Sequence, residues 1–160
     1  MISTVQVIRA PTNMKMVSAF MQMVPNTLYM KSIKKIRIDK GLEIDKTGHD
    51  VGKIYLNRLS KRLFTDEFKS YFLKFEKGSK SKIHLHDSDQ IIIGMGGIGK
   101  IVIFSRIDEQ KGLIDVEQSL ELEEGDAVLI PAGKLHWHGA TENHDSSQIS
   151  FMKNGKTFWF

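Results

Sequence analysis

From about residue 51 onward, the sequence consists of short β-branched and aromatic stretches separated by glycine-containing or acidic turns. Short strands at this spacing are typical of β-sandwiches, jelly rolls and closed barrels. The sequence therefore predicts an all-β fold with no further helix in this region. The predicted strands are Ile54 to Leu56, Phe68 to Phe75, Lys82 to His86, Ile91 to Ile93, Lys100 to Ile107, Ser119 to Leu122, Ala127 to Ile130, His136 to His138 and Gln148 to Met152, with turns at residues 108–112 and 123–126.

The first 48 residues differ in character from the rest of the chain. Asn13 can cap a helix, apolar residues recur at spacings of three and four up to Val24, and Pro25 ends the run, so we expect a short helix over residues 13–24. Six of the eight methionines lie within the first 30 residues, which favours adaptable hydrophobic packing. We therefore predict an N-terminal extension, residues 1–48, that packs on the barrel or on a partner subunit, and a barrel domain over residues 49–160.

Composition and charge restrict the class of protein. The chain has no cysteine, which excludes disulfides and thiolate metal ligands and suits a cytoplasmic protein. No apolar run reaches the roughly 18 to 20 residues of a transmembrane helix, so no membrane partner is expected. Residues 1–62 hold 12 basic and 4 acidic side chains, whereas residues 63–160 hold 11 and 15. The basic segment lacks interleaved aromatic residues, so we interpret it as a solvated or docking face and not as a nucleic-acid surface.

Residues 94–99 read Gly-Met-Gly-Gly-Ile-Gly and match the G-x-G-x-x-G pattern of a dinucleotide-binding loop. Such a loop requires a helix at its last glycine, so that the helix N-terminus meets the pyrophosphate. Here the chain continues with Lys100 to Phe104, which has the character of a strand. We therefore interpret the segment as a glycine-rich turn between antiparallel strands.

Two histidines and a glutamine that lie close together in the sequence form a candidate metal-binding group. His84 and His86 alternate within a predicted strand, so both side chains project from the same face, as two imidazoles on one metal ion must. Gln90 follows four residues later, and its amide oxygen could reach the same centre. His136 begins another short strand after a turn that contains proline and glycine.

These residues occur in an order that resembles the two motifs of the cupin family. The first motif, G-x5-H-x-H-x3-E-x6-G, is matched by Gly78, His84, His86, Gln90 and Gly97, with glutamine in place of glutamate. The second motif, G-x5-P-x-G-x2-H-x3-N, is matched by Gly125, Pro131, Gly133 and His136, with Ala140 where asparagine is common. The resemblance covers residues 50–160 and implies a cupin double-stranded β-helix, the jelly-roll barrel of that family.

The resemblance also implies a metal cofactor. Carried over position by position, the family's ligands are His84, His86, Gln90 and His136. This set would accept most first-row divalent ions, and we expect one ion of Mn, Fe, Ni, Cu or Zn, with Mn or Fe favoured. In the alternative interpretation, these are hydrogen-bonded core histidines of a barrel that has lost its metal. Burying three imidazoles with nothing to bind would be costly, which favours the metal site.

A finer resemblance concerns the activity. The string from His136 to Thr141, His-Trp-His-Gly-Ala-Thr, together with the glutamine ligand, looks like the small bacterial cupins that include manganese-dependent hydroxynitrile lyases. Neutral imidazole and amide ligands leave the metal charge uncompensated, which favours Lewis-acid or lyase-like chemistry on a small organic molecule. The alternatives are a metal-dependent dioxygenase, although those sites more often carry a carboxylate, and a non-catalytic sensor or ligand-binding cupin.

The remaining predictions concern the cavity and the assembly. His138 lies two residues beyond His136 and would face the same cavity, as a general base or as an orienting residue. Tyr71 and Leu73 are predicted pocket walls, and Gln148 is assigned to the pocket where those lyases carry a further histidine. The aromatic tail at residues 158–160 needs cover, so we expect a homodimer.

Overall fold

A computed structural model of the protein describes residues 33–108 and 113–160. The predicted helix over residues 13–24, the methionine-rich segment and most of the turn at residues 108–112 lie outside the described residues. Residues Lys35–Phe160 form one compact unit. Its elements are β1 (Glu43–Ile44), β2 (Asp50–Val51), β3 (Ile54–Arg58), α1 (Leu59–Leu63), β4 (Phe68–Phe75), β5 (Lys80–Ser81), β6 (His84–His86), β7 (Gln90–Gly97), β8 (Gly99–Asp108), β9 (Leu113–Leu122), β10 (Ala127–Ile130), β11 (Leu135–Ala140), β12 (Ser146–Lys153) and β13 (Thr157–Trp159).

The strands form two antiparallel sheets. The first sheet has the order β1-β3-β4-β12-β7-β10, and the second has the order β13-β6-β11-β5-β2. Strand β8 joins the second sheet by pairing with β11, and β9 pairs with β8. Neighbours that are distant in the chain, such as β4 beside β12, are typical of a jelly roll, and the predicted all-β fold is confirmed.

The barrel interior is apolar in one part and polar in another. Alternate residues of each strand point inward, which gives each sheet a buried face. A large apolar cluster consists of Ile92, Ile101, Leu122 and Ile130, and a smaller one of Ile54, Phe75 and Ala140. Other inward positions carry histidine, glutamine and serine side chains that are nearly as inaccessible as the apolar core.

The glycine-rich segment at residues 94–99 is a corner between the two sheets. A strand follows it, as predicted, and the two flanking strands belong to different sheets and do not pair with each other. Strand β7 belongs to the first sheet and pairs with β10 and β12, whereas β8 belongs to the second. Gly97 has a φ of 69°, and a Cβ atom there would overlap the Asp145 carbonyl group. The close approach of two backbone segments therefore accounts for this glycine.

Helix α1 was not predicted from the sequence. It ends at Phe64, which has a left-handed φ of 57° and donates its backbone N–H to the Lys61 carbonyl at 3.2 Å. The helix meets β4 through Ser60, whose hydroxyl accepts the Ser70 backbone N–H at 3.3 Å. Five residues are too few to display a helical apolar period. In the described part of the chain, no helix is long and apolar enough to cross a membrane.

The described part of the predicted extension, residues 33–48, adds an edge strand to the first sheet. Strand β1 pairs antiparallel with β3. The buried Asn57 side chain on β3 donates hydrogen bonds to the carbonyl groups of Ile38 and Lys40, at 2.9 and 2.8 Å. These bonds fasten the chain before β1 to β3. The segment that follows β1 lines the barrel cavity through Asp45, Thr47, His49 and Asp50.

Candidate metal centre

A cavity of about 160 Å³ lies between the two sheets. It is smaller than the pockets of about 300–1,000 Å³ that hold drug-sized ligands, so it suits a small molecule. Both sheets supply its lining, for example Ser150 from the first and His84 from the second. Tyr71 and Leu73, the predicted pocket walls, line it, whereas Gln148 is fully buried behind the wall.

Three histidines meet at this cavity: His84 and His86 line it, and His136 is fully buried beside them. His84 and His86 alternate along β6, and His136 on β11 lies directly opposite His84 in the ladder. Their exposed fractions are 2%, 5% and 0%, respectively. One ring nitrogen from each lies within 4.8 Å of the others, so the three could hold a metal ion.

Hydrogen bonds behind two of the rings decide which nitrogen faces the cavity. Nδ1 of His84 donates to the Lys82 carbonyl, and Nδ1 of His136 donates to the Lys134 carbonyl, both at 2.8 Å. Because a carbonyl oxygen only accepts, Nδ1 carries the proton and Nε2 keeps its lone pair. Such outer hydrogen bonds orient the imidazoles of metal sites.

His86 leaves a buried nitrogen without a partner. Its Nδ1 lies 3.0 Å from Thr157 Oγ1 on β13. Its Nε2 is inaccessible to solvent and makes no well-formed hydrogen bond among the described residues, although the Gln90 side chain lies near enough to act on the pKa of His86. A buried polar atom left unsatisfied costs about 1–3 kcal/mol. A cation bound at Nε2 would remove that cost, so the donor set fits a metal ion.

Gln90 brings an amide oxygen to the same place. Its Nε2 donates to Ser150 Oγ at 2.9 Å, and its Oε1 lies 2.9 Å from Nε2 of His136. Both of the latter atoms present lone pairs when His136 is protonated on Nδ1, so they oppose each other unless the amide rotates or a cation binds both. Two ligands about 2.1 Å from one ion, at a right angle, are about 3 Å apart. The spacing therefore fits a shared ion.

Burial keeps these imidazoles neutral. Loss of hydration lowers the pKa of His84 well below its ordinary value, and the neighbouring His136 lowers that pKa further. Burial also lowers the pKa of His136, that of His86 to about 4 and that of His138 to about 3. Metal ions bind neutral imidazole, so at neutral pH the cluster can bind an ion without first releasing protons.

Comparison with known families agrees with this arrangement of strands and histidines. The family model described as Cupin matches residues 52–158, well over half of the chain. The chain belongs to the cupin family. The family predicted from the two motifs is therefore confirmed, whereas the resemblance to the lyase subgroup stays a prediction.

Solved structures of other proteins share the fold at low sequence identity. A cupin-like protein from Thermotoga maritima is 22% identical, with a TM-score of 0.60 over 81% of this chain and 89% of that chain. The polyketide cyclase RemF from Streptomyces resistomycificus is 16% identical, with a TM-score of 0.59 over 77% and 80%. Oxalate decarboxylase from Lactobacillus farciminis is 16% identical, with a TM-score of 0.54 over 74% of this chain and 33% of that chain. No curated protein matches the sequence.

His138 occupies the cupin cavity beside the cluster and is oriented by Gln148. Its Nδ1 lies 2.8 Å from Gln148 Oε1, while Gln148 Nε2 donates to the Gly139 carbonyl at 2.8 Å. The carbonyl fixes the amide, so its oxygen faces His138 and Nδ1 of His138 must donate. Nε2 of His138 therefore keeps the lone pair. Gln148, assigned to the pocket from the sequence, lies behind His138 and acts on it.

The C-terminal strand supplies residues that the sequence analysis did not assign to the cavity. Thr157 and Trp159 alternate along β13, which pairs with β6. The Trp159 ring lies 4.5 Å from the ring of His84 and stacks on His49 at 4.3 Å. The alternation of side chains in the C-terminal tail could have indicated a strand. It does not indicate which strand the tail pairs with.

Replacing Thr157 by valine is expected to weaken metal binding by about tenfold or more, because losing an outer hydrogen bond to a ligating histidine lowers affinity about 10–100-fold. Valine keeps the branched shape and the strand. Competition against a chromogenic zinc chelator measures the change. Thr141→Val is the matched control, since it removes a hydroxyl that lies 3.2 Å from Nδ1 of the exposed His144. Equal losses in both variants would contradict the role of Thr157.

Proposed function

We propose that this cupin is a metal-dependent enzyme that acts on a small organic molecule by Lewis-acid and acid-base chemistry, as a lyase does. The observation that carries the proposal is the buried, unpartnered Nε2 of His86 beside the imidazoles of His84 and His136 at the cavity between the two sheets. In a histidine cluster that served only packing, most buried ring nitrogens are expected to be hydrogen-bonded.

The proposed ligands are neutral, and this sets the class of chemistry. His84, His86, His136 and Gln90 would hold the ion. A divalent ion at this position would supply Lewis acidity toward a substrate oxygen, undiminished by a carboxylate ligand. We propose Mn or Fe, because imidazole and amide-oxygen donors suit both and because the sequence resembles cupins that include manganese-dependent lyases.

Residues of the chain itself supply the proton chemistry and the enclosure. His138 presents Nε2 as a base, since Gln148 holds the proton on Nδ1. Phe75 packs edge-on against the His138 ring, with centroids 5.6 Å apart, and helps to hold the ring in place. Leu73 and Phe75 line the cavity with apolar surface, which limits water around a bound substrate.

A homodimer is part of the same proposal. Phe158 and Phe160 remain 47% and 52% exposed at the C-terminal strand, and Ile91 and Leu129 remain 43% and 59% exposed on the outer face of the first sheet. Clustered exposed apolar residues of this kind are typical of surfaces that a partner covers.

The experiment loads metal-free protein with Mn, Fe, Ni or Zn and screens small cyanohydrins, 2-hydroxy ketones and aldehydes. We expect turnover that requires the metal, disappears with a chelator and consumes no oxygen. His138→Gln should lower kcat about 10²–10⁴-fold, the usual contribution of a general base, while the metal content stays unchanged. His144→Gln is the control, because His144 is exposed and lies outside the cluster.

The other outcomes separate the alternatives. Oxygen uptake in step with turnover would assign the site to dioxygenase chemistry. Metal and ligand binding without turnover across the panel would favour the sensor or ligand-binding cupin. An unchanged kcat in His138→Gln would contradict the role of His138 but not the role of the metal.

A further inference from the structure

Two carboxyl groups line the same cavity as the histidines, and the metal chemistry does not use them. Asp45 precedes and Asp50 begins β2, and both side chains contribute to the cavity wall together with His84 and His86. A side-chain hydrogen bond with the other carboxyl group acts on the pKa of each of the two. The buried, unpartnered Nε2 of His86, a residue only 5% exposed, marks this cavity as one that receives a ligand.

Two carboxylates in hydrogen-bonding contact do not both ionise readily, and the surroundings decide which one keeps the proton. Thr47 donates to Asp45 through its backbone N–H at 3.0 Å and its hydroxyl at 3.1 Å, which stabilises Asp45 as the anion. Asp50 receives no such donors, and its Oδ2 is inaccessible to solvent and unpartnered. The shared proton therefore belongs on Asp50.

The charged groups around the pair act in the same direction. Arg58 on β3 favours the anionic form of Asp45, and Lys82 weakly favours ionisation of Asp50. Burial followed by the contact with Asp45 outweighs Lys82 and raises the pKa of Asp50 to about 7. Burial also raises the pKa of Asp45, but its hydrogen bonds outweigh burial and leave that pKa below the ordinary value. The cavity-lining imidazoles of His84, His86 and His138 are neutral, because burial lowers their pKa values.

The register of the second sheet sets the distance between the pair and His138. Asp50 on β2 lies opposite Ser81 on β5, and Ser81 Oγ accepts the His138 backbone N–H at 3.2 Å. The three residues form a row across two strand spacings, about 10 Å from end to end. All three line the cavity, so a small molecule between them would meet a base at one end and the carboxyl pair at the other.

We propose that Asp45 and Asp50 form a carboxyl pair that holds one proton and exchanges it with a small molecule bound in the cavity. This inference deepens the proposed function and rests on it for the identity of that molecule. In the donating direction, the Asp50 O–H bond breaks, the proton passes to the ligand and the electron pair stays on the carboxylate. Solvent water at the cavity mouth then returns a proton to the pair.

The test follows the carboxyl carbons of metal-free protein labelled with ¹³C-aspartate by NMR during a pH titration. We expect one carboxyl to titrate near pH 7, to vanish in Asp50→Asn, and to move toward the ordinary aspartate value of about 4 in Asp45→Asn. Removing the neighbouring carboxylate favours ionised Asp50, which is why its pKa falls. Asp115→Asn is the control, because it removes an exposed carboxylate from β9, away from the cavity.

Zinc provides a readout that a pair held only for stability would not move. A divalent ion on the histidines favours the carboxylate form of any group facing the cavity, so the pKa of Asp50 should fall on zinc loading in wild type and in Asp115→Asn. An ordinary pKa for Asp50, or one insensitive to both Asp45→Asn and bound zinc, would overturn the proposal. If no zinc binds, the metal function fails, and the metal-free titrations still decide the pair.

Discussion

Replacing His84 and His136 together by alanine is expected to abolish stoichiometric metal binding. The pair supplies two of the four proposed ligands, and these lie on neighbouring strands with ring centroids 4.2 Å apart. Four-ligand zinc sites have apparent binding free energies of about 10–16 kcal/mol, so losing two ligands should weaken binding by at least about 10³-fold. Elemental analysis of the purified protein, followed by zinc titration, measures the loss.

The matched control removes the same number of imidazoles from outside the cluster. His49 stacks on Trp159, and His144 is exposed, and neither belongs to the three-histidine group. His49→Ala/His144→Ala should therefore keep its metal, with folding of both variants checked by circular dichroism. His86→Gln repeats the test with a smaller change. Negligible metal in wild type after incubation with Mn, Fe, Ni, Cu and Zn salts would overturn the metal enzyme and leave a ligand-binding or structural barrel.

In the alternative of a metal-free histidine core, the buried ring nitrogens are expected to have hydrogen-bonding partners within the protein. Nδ1 of His84 and Nδ1 of His136 meet this expectation through backbone carbonyls, but Nε2 of His86 does not. The contact between Gln90 Oε1 and His136 Nε2 is compatible with both alternatives, because either a rotated amide or a bound cation removes the opposition of the two lone pairs.

The local sequence predicts only part of the meeting of the three histidines. Alternation within one strand places His84 and His86 on one face. The cross-strand pair that adds His136 is not local, and it was the resemblance to the cupin motifs that predicted it. The hydrogen bonds that orient the three imidazoles differ in the sequence separation between their partners. The carbonyl bonds of His84 and His136 come from two residues earlier in the chain, whereas Thr157 lies 71 residues from His86. No pattern within one sequence reveals that pairing.

Strand positions were predictable where burial alternates and less so elsewhere. The predicted stretches Phe68 to Phe75 and Ala127 to Ile130 coincide with β4 and β10. Strand β9 begins at Leu113, six residues before the predicted Ser119. The prediction missed the first half of this strand because apolar residues there, such as Val116 at 58%, are exposed and do not follow the burial pattern. Pairing with β8, not burial, holds that half in the sheet. At the glycine-rich corner, the sequence likewise could not predict with which strands β7 and β8 pair.

Gly97→Ala is expected to lower the free energy of unfolding by about 3 kcal/mol or more. A left-handed φ costs a non-glycine residue about 1–3 kcal/mol, and overpacking against fixed backbone adds about 1–3 kcal/mol. Gly97 combines both, since its φ is 69° and a Cβ atom would overlap the Asp145 carbonyl. That carbonyl also accepts the Ile98 backbone N–H at 3.1 Å, so it cannot move without loosening the corner. Urea unfolding measures the change.

Gly48→Ala separates the two contributions. Gly48 has nearly the same backbone angle, a φ of 76°, but nothing lies within 4 Å of the position its Cβ would take. This control should therefore lose only the conformational part, about 1–2 kcal/mol. The difference between the variants then reports the packing of the corner against the loop before β12. If both variants lost the same free energy of unfolding, the close approach of the Asp145 carbonyl would not explain the glycine at position 97. The left-handed backbone angle alone would then explain it.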